Sequence, residues 1–221
     1  MKKARYWIKA HPCAVLIFCM TLVLLWFYYL QKNNTPRYFV DMKIDDYIPF
    51  TPFFVIPYLS WFIYMAIVLS YFFIYSRADF IRAGFFILCG MSISMLCYTL
   101  FPYGNQLRPE IVGHSPAQRI LRFVYDLDPP NNCLPSIHVL NTMGIHFAIL
   151  RSPKFVHMKK LKFLSGVLMI LICLSTVLIK QHSAADVILA AVLGMILYLL
   201  IYRPRQVKPG TTKIQRRNGK I

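Results

Sequence analysis

The stretch STVLIKQHSAADVILAAVLGMILYLLIY, residues 175–202, ends in an apolar run of the kind that decides a fold. From Ala184 onward the run is about as long as a helix needs to cross a bilayer core, roughly 20 residues. Its beginning is different. His182 and Asp186 stand four apart, so a helix starting here puts them on one face and in side-chain contact. A carboxylate at the mouth of a membrane helix is costly without a partner, so the pair is either a mutually satisfied structural couple or a functional one.

Working outward, the same apolar length recurs. Runs at about 12–30, 51–75, 83–101, 136–150 and 163–179 join 184–202 to predict six transmembrane helices. The first is too long for a signal-peptide core and lacks a small-residue cleavage site, so it is expected to stay as an anchor. The fourth is short and carries His138, Asn141 and His146. The expected fold is therefore all-α, a polytopic membrane helix bundle. It is expected to form one integral membrane domain over 1–221, with a motif-bearing core at about 83–202 and a basic tail at 203–221. The chain is 57% hydrophobic, too apolar for an ordinary soluble domain.

The net charge of +17 admits nucleic acid or membrane topology as its cause. Position decides between them. Of the 25 lysines and arginines, 18 fall in segments 1–11, 76–82, 151–162 and the tail, and 7 in the alternate loops. That bias predicts both termini in the cytoplasm and accounts for the charge without nucleic acid. The six cysteines include no CxxC pair and no Cys/His metal spacing, so they read as structural thiols, with no disulfide framework and no metal.

The loop 102–135 is the longest connection. Within it, SPAQRILRFVYD begins with a capping-box pattern, Ser115 to Gln118, with Pro116 at the first helical position. This predicts a short helix that lies on the outer membrane surface or packs on the bundle. Its apolar face would be Ala117, Ile120, Leu121 and Val124, and its polar face Arg119, Arg122 and Asp126.

Three polar clusters share the outward side: NQLRPE at 105–110, LPSIHV at 134–139 and STVLIKQHSAAD at 175–186. Asp186 can hold the Nδ1 proton of His182 and leave Nε2 free as nucleophile or base. Pro135 and Ser136 are helix-start residues, and a helix N-terminus suits an anion. His138 in that first turn could protonate a leaving oxygen, or could simply bond to the loop while Ser136 caps. Arg108 offers a planar fork for phosphate oxygens, or is an ordinary loop arginine. Lys180 is either a snorkelling lysine or another phosphate ligand. Together they describe an anion site with a nucleophile and an acid, which is what phosphoryl transfer requires. His146 reads as a core histidine bonded across helices. Asn105 and Gln106 read equally as head-group contacts or loop contacts.

At these residues the chain resembles the type 2 phosphatidic acid phosphatase superfamily, the lipid phosphate phosphatases. Its K-x6-R-P, P-S-G-H and S-R-x5-H-x3-D motifs correspond here to Arg108-Pro109, Pro135-Ser136-Ile137-His138, and Ser175-Thr176 with His182 and Asp186. Phe101 stands at the lysine of the first motif, Ile137 at the glycine of the second, and Thr176 at the arginine of the third. Two family cations are thus absent, and Lys180 is a candidate stand-in. The departures resemble the branch that includes inositol phosphorylceramide synthases.

The resemblance implies a metal-independent enzyme without a cofactor that cleaves a lipid phosphate ester or diphosphate at the extracytoplasmic face of the cell membrane. His182 would become a phosphohistidine, Asp186 would orient it, and His138 would protonate the leaving group. Arg108, Ser136 and Lys180 would hold the phosphoryl oxygens. Two alternatives stand beside it: a lipid phosphotransferase that moves a phospho-head group to an acceptor lipid, and a non-catalytic binder or transporter of anionic lipid. The sequence leaves the oligomeric state open.

Overall fold

A computed structural model describes residues 10–202. The basic tail 203–221 and the lysines and arginine of segment 1–9 lie outside the described residues. Among the described residues seven α-helices follow one another: α1 Pro12–Asn33, α2 Val55–Tyr75, α3 Arg77–Leu100, α4 Pro116–Leu127, α5 Ile137–Arg151, α6 Lys159–Leu178 and α7 Ala184–Ile201. The protein is an all-α membrane helix bundle. The described residues include five helices long and apolar enough to cross a bilayer: Pro12–Asn33, Pro52–Tyr75, Arg77–Leu100, Lys159–Leu178 and Ala184–Ile201.

The expected count was six, and the difference lies in α5. With 15 residues it is about 22 Å long, short of a hydrocarbon core of about 30 Å. It is also the most enclosed helix of the bundle. Twelve of its residues are buried, and it packs on α2, α3, α6 and α7. Its contacts nevertheless reach both ends of the bundle. At its start, the Ser136 N–H donates to the Asp186 carbonyl at the head of α7 (3.3 Å), and the Tyr98 hydroxyl at the foot of α3 donates to the Pro135 carbonyl (2.5 Å). At its finish, Ser152 Oγ donates to Asp79 in the first turn of α3 (2.7 Å), and Arg151 Nε donates to the Tyr198 hydroxyl near the end of α7 (2.7 Å).

Close backbone approach makes this enclosure feasible. A Cβ on Gly144 would come within 2.4 Å of the Phe86 ring, and one on Gly90 within 2.7 Å of Leu140, so both glycines let α3 and α5 touch. One apolar core runs through the bundle, built from residues such as Phe72, Phe86, Met95, Leu140, Ile145 and Ile172. His146 is the cross-helix core histidine its position suggests. Its Nδ1 meets Ser165 Oγ on α6 at 2.8 Å, and Tyr64 of α2 meets the same hydroxyl at 2.7 Å.

At the other end of the bundle, the connections form a cap. A short parallel pair, β1 Tyr38–Phe39 and β2 Tyr103–Gly104, ties the α1–α2 connection to the α3–α4 connection. The helix α4 begins with the expected capping box: Ser115 accepts from the Gln118 N–H, and Gln118 Oε1 accepts from the Ser115 N–H at 3.0 Å. It packs on the bundle through Leu121 and Val124, which join Val55, Tyr58 and Ile179 in a second small core. Ile120 was expected on that face and is instead exposed, in a stripe with Phe123 and Leu127.

Candidate functional site

The turn between α6 and α7 presents the first histidine. At the end of α6 the chain reverses at Lys180, whose φ of 55° lies in the left-handed region that glycine usually fills. The reversal lets the N–H groups of Gln181 and His182 both donate to the Thr176 carbonyl at 3.0 Å. Ser183 then caps α7: its Oγ accepts from the Ala185 N–H, and Asp186 at the third position reaches back to the Ser183 N–H (3.0 Å). The same Asp186 oxygen, Oδ2, faces His182 Nδ1 at 3.1 Å. Local capping rules therefore put the carboxylate where it can fix the imidazole tautomer, with Nδ1 protonated and Nε2 free. The other oxygen, Oδ1, is buried with no hydrogen-bond partner.

The second histidine comes from the start of α5. Ser136 is its N-cap and accepts from the Val139 N–H at 3.5 Å. His138, in its first turn, is buried against the rings of Tyr58 and Trp61 of α2, each with its centroid 4.6 Å away. Its ring lies 5.8 Å from that of His182, and its Nδ1 has no hydrogen-bond partner. The two histidines, 44 residues apart in the chain, thus share one site. Tyr58 and Trp61 are the walls that sequence reasoning missed. They sit inside an apolar run rich in aromatics, where nothing marks the two that face inward.

Arg108 reaches the same neighbourhood. Its guanidinium donates to the Tyr125 carbonyl (3.1 Å), to the Asp128 carbonyl and to Gln181 Oε1 (2.6 Å), and it lies over the Tyr125 ring at 4.2 Å. Burial lowers its pKa, and the nearby Asp128 charge works against that shift. A guanidinium stays charged at neutral pH regardless. Its Nε is buried without a partner. Through Gln181 the arginine is coupled to the residue just before His182. Asp128, which sequence reasoning passed over, is a hub. Its carboxylate accepts from Gln31 (2.6 Å), Gln181 (2.7 Å) and Tyr58 (3.0 Å). Asn105 belongs to the loop rather than to a free surface, since it is buried and its Nδ2 donates to the Gln181 carbonyl at 2.6 Å.

Lys180 is buried, and its Nζ donates to the main-chain carbonyl of Asp45 at 2.6 Å. Asp45 in turn accepts from the Ala184 N–H at the head of α7 through Oδ1 (2.8 Å). The α1–α2 connection is therefore docked on the turn that carries His182. Phe101 and Thr176, at the two positions where family cations are absent, do not compensate. Phe101 is exposed, and Thr176 is buried with its hydroxyl donating to the Cys173 carbonyl (2.8 Å).

One further neighbour has no sequence signal. Cys133 lies 49 residues before His182 and is buried beside it; its Sγ, a His182 ring nitrogen and an Asp186 oxygen lie within 4.8 Å of one another. Asn105 Nδ2 faces the sulfur at 3.8 Å. Burial pushes the thiol well above its usual range, and the Asp186 and Asp128 carboxylates push the same way. The absence of metal-ligand spacing in the sequence does not carry over to space, where the fold assembles three ligand types from the loop before α5, the α6–α7 turn and the first turn of α7.

The family model described as the PAP2 superfamily matches residues 82–208, more than half of the chain. The match contains Arg108, Ser136, His138, Lys180, His182 and Asp186, and it reaches the superfamily but no branch within it. No curated protein and no solved structure matches the chain.

Proposed function

The chain belongs to the PAP2 superfamily, and on that premise we propose that it is a lipid phosphatase acting through a phosphohistidine on His182. The family is one of phosphatases and related phosphoester enzymes, and the five apolar helices make this a multi-pass membrane member. The observation that carries the finer reading is the pair His182–Asp186 at 3.1 Å, with the His138 ring 5.8 Å from that of His182.

In the proposed reaction, the Nε2 lone pair of His182 attacks phosphorus and the bond from phosphorus to the leaving alkoxide breaks. His138 gives its proton to that oxygen. Asp186 stabilises the positive charge that builds on the His182 ring. Arg108 lies beside the site, and its buried unpartnered Nε supports its role as a phosphate ligand. Ser136 uses its oxygen as an acceptor in the cap, so its hydroxyl hydrogen is left to donate to a phosphoryl oxygen. In the second step His138 takes a proton from water, the water oxygen attacks phosphorus, and the P–N bond breaks to return His182. No metal or cofactor is required by these steps. Lys180 contributes its charge to the site while its Nζ is tied to the Asp45 carbonyl.

The site is proposed to face away from the cytoplasm, in the cell membrane, with both termini inside and α5 as a sixth crossing. The positive-inside count and the contacts of α5 with both ends of the bundle support that reading. A reporter fused after Arg108 should be extracytoplasmic, and a cytoplasmic location would sink the topology.

One observation favours a second reading, the lipid phosphotransferase. Two family cations are absent, and Lys180 already serves a protein carbonyl, which suits a phosphodiester better than a phosphomonoester dianion. The test is phosphate release by purified protein in detergent–lipid micelles with chelator present, beside His182→Ala. Phosphatidic acid, phosphatidylglycerol phosphate and undecaprenyl diphosphate are the substrates to offer. Release that the variant lacks is expected. Release equal in the variant would refute the phosphohistidine, and no release from any substrate would shift the reading to the transferase.

A further inference from the structure

The residues around His182 include more than a phosphoryl site needs. Cys133 enters from the loop before α5, held by the Asn105 amide at 3.8 Å and by its own N–H to the Tyr103 carbonyl at 3.4 Å. Its sulfur, a His182 ring nitrogen and an Asp186 oxygen converge within 4.8 Å. All three residues are buried, Asp186 to the point of 1% exposure. Asp186 Oδ1 has no hydrogen-bond partner in that buried setting, so one acceptor of the cluster is left unused by the protein. Unpartnered buried carboxylate oxygens are rare enough to need an account.

We propose that Cys133, His182 and Asp186 form a site for a borderline-soft divalent cation of the zinc class, and that the bound cation switches the enzyme off. Thiolate, imidazole and carboxylate together are a zinc-type donor set, whereas magnesium and calcium favour oxygen alone. Bond lengths of about 2.0–2.3 Å hold tetrahedral ligand atoms roughly 3.4–3.7 Å apart. The separations in the cluster, from 3.1 Å between His182 Nδ1 and Asp186 Oδ2 up to the 4.8 Å limit, bracket that spacing. On binding, the Sγ–H bond of Cys133 breaks and its proton passes to solvent; no electron changes hands.

The inhibitory sense follows from His182, and so rests on the phosphatase reading. A cation on Nε2 takes the lone pair that attacks phosphorus. A cation on Nδ1 selects the other tautomer: the ring's one proton leaves Nδ1 and is carried on Nε2, whose lone pair is then used. Both outcomes remove the nucleophile. Cys133 is what sets this chain's site apart from a plain His–Asp pair, which would hold such an ion with one ligand fewer.

The experiment uses the full chain in detergent, free of any polyhistidine tag and washed with chelator, titrated with cobalt(II) as the spectroscopic substitute for zinc. A thiolate-to-cobalt charge-transfer band in the near ultraviolet is expected in the native chain and in Cys173→Ser, whose thiol lies outside the cluster. Cys133→Ser should lack the band and bind cobalt about 10-fold or more weakly. No band in the native chain, or the same band in Cys133→Ser, would overturn the proposal. Should Cys133→Ser not fold, zinc X-ray absorption on the native chain decides: one sulfur scatterer at about 2.3 Å is expected, and a shell of nitrogen and oxygen alone refutes it. Neither readout depends on activity, so a failed phosphatase assay with a positive band leaves the site standing. Phosphate release that persists at saturating zinc would overturn the inhibitory role.

Discussion

Replacing Asp186 by Asn removes a charge while keeping a shape, which makes it the sharpest test of the proposed nucleophile. Asp186 Oδ2 faces His182 Nδ1 at 3.1 Å and the Ser183 N–H at 3.0 Å. As His182 attacks, its ring becomes cationic. A full unit charge at that separation interacts with the carboxylate by about 5 kcal/mol at an effective dielectric near 20. A half-developed charge gains about half of that. The rate constant for phosphohistidine formation should therefore fall by about 100- to 10,000-fold in Asp186→Asn. Stability should move little. Two charge-assisted bonds become neutral, at a cost of about 1 kcal/mol each, but the penalty of a buried carboxylate with an unpartnered Oδ1 disappears too. Single-turnover phosphate release measures the first effect, and thermal unfolding in the same micelles the second. A variant that unfolds like the native chain and turns over within about threefold of it would refute the role given to the pair. A variant that loses activity only because it unfolds would make Asp186 structural.

Further outcomes follow from the same geometry. His138→Gln should lose about 100- to 10,000-fold on an alkyl phosphate and much less on a substrate with an acidic leaving group, since only the former needs the proton; equal losses on both would remove His138 from the acid role. Arg108→Lys cannot reproduce the fork that spans Tyr125, Asp128 and Gln181, so KM should rise and the unfolding temperature fall; a KM rise without any thermal change would separate phosphate binding from loop anchoring. The Cys133 thiol, pushed up by burial, is neutral at neutral pH and gains thiolate only as pH rises toward its raised value. Alkylation followed by mass spectrometry should leave Cys133 unmodified in the folded chain and modify it after denaturation; fast labelling of the folded chain would contradict the burial.

Much of this was readable from the chain because the signals are local. The His182–Asp186 contact needs only helical spacing, and the caps at Ser115 and Ser136 need only residue type and position. Long apolar runs declare themselves by length, and five of them are helices long and apolar enough to cross a bilayer among the described residues. What stayed hidden is whatever depends on tertiary approach. Cys133 sits in a loop where spacing gives no metal pattern, yet the fold carries it to His182. Asp128 looks like any acid before a proline pair, and only the folded chain shows it accepting from three separate elements. Lys180 shows the same limit differently. Its nearness to His182 in sequence suggested a phosphate ligand, but its backbone reverses there at a positive φ and its amine bonds to Asp45. Its first role is to shape the turn.

The helix α5 explains why hydropathy alone divides the bundle unevenly. A helix at the rim must face lipid and so must be apolar on most of its surface, which is why α1, α2, α6 and α7 expose many large apolar side chains. A helix at the centre faces only other helices. It can carry polar groups where neighbours offer partners, as they do for Thr142 on the His138 carbonyl (2.6 Å) and for His146 on Ser165 (2.8 Å). Hydrogen bonding within the bundle there offsets much of the cost of polar burial, with His138 Nδ1 and Asn141 Oδ1 left unpartnered. The feature that weakens α5 as a span in sequence is therefore the one that lets it carry His138 at its head. The catalytic role proposed for this helix needs polar side chains and fixed rotamers, and close neighbours on every side favour both. On the proposed reading, the sixth crossing and the proton donor are one structural problem, and a short, enclosed helix with His138 in its first turn is the form that meets both demands.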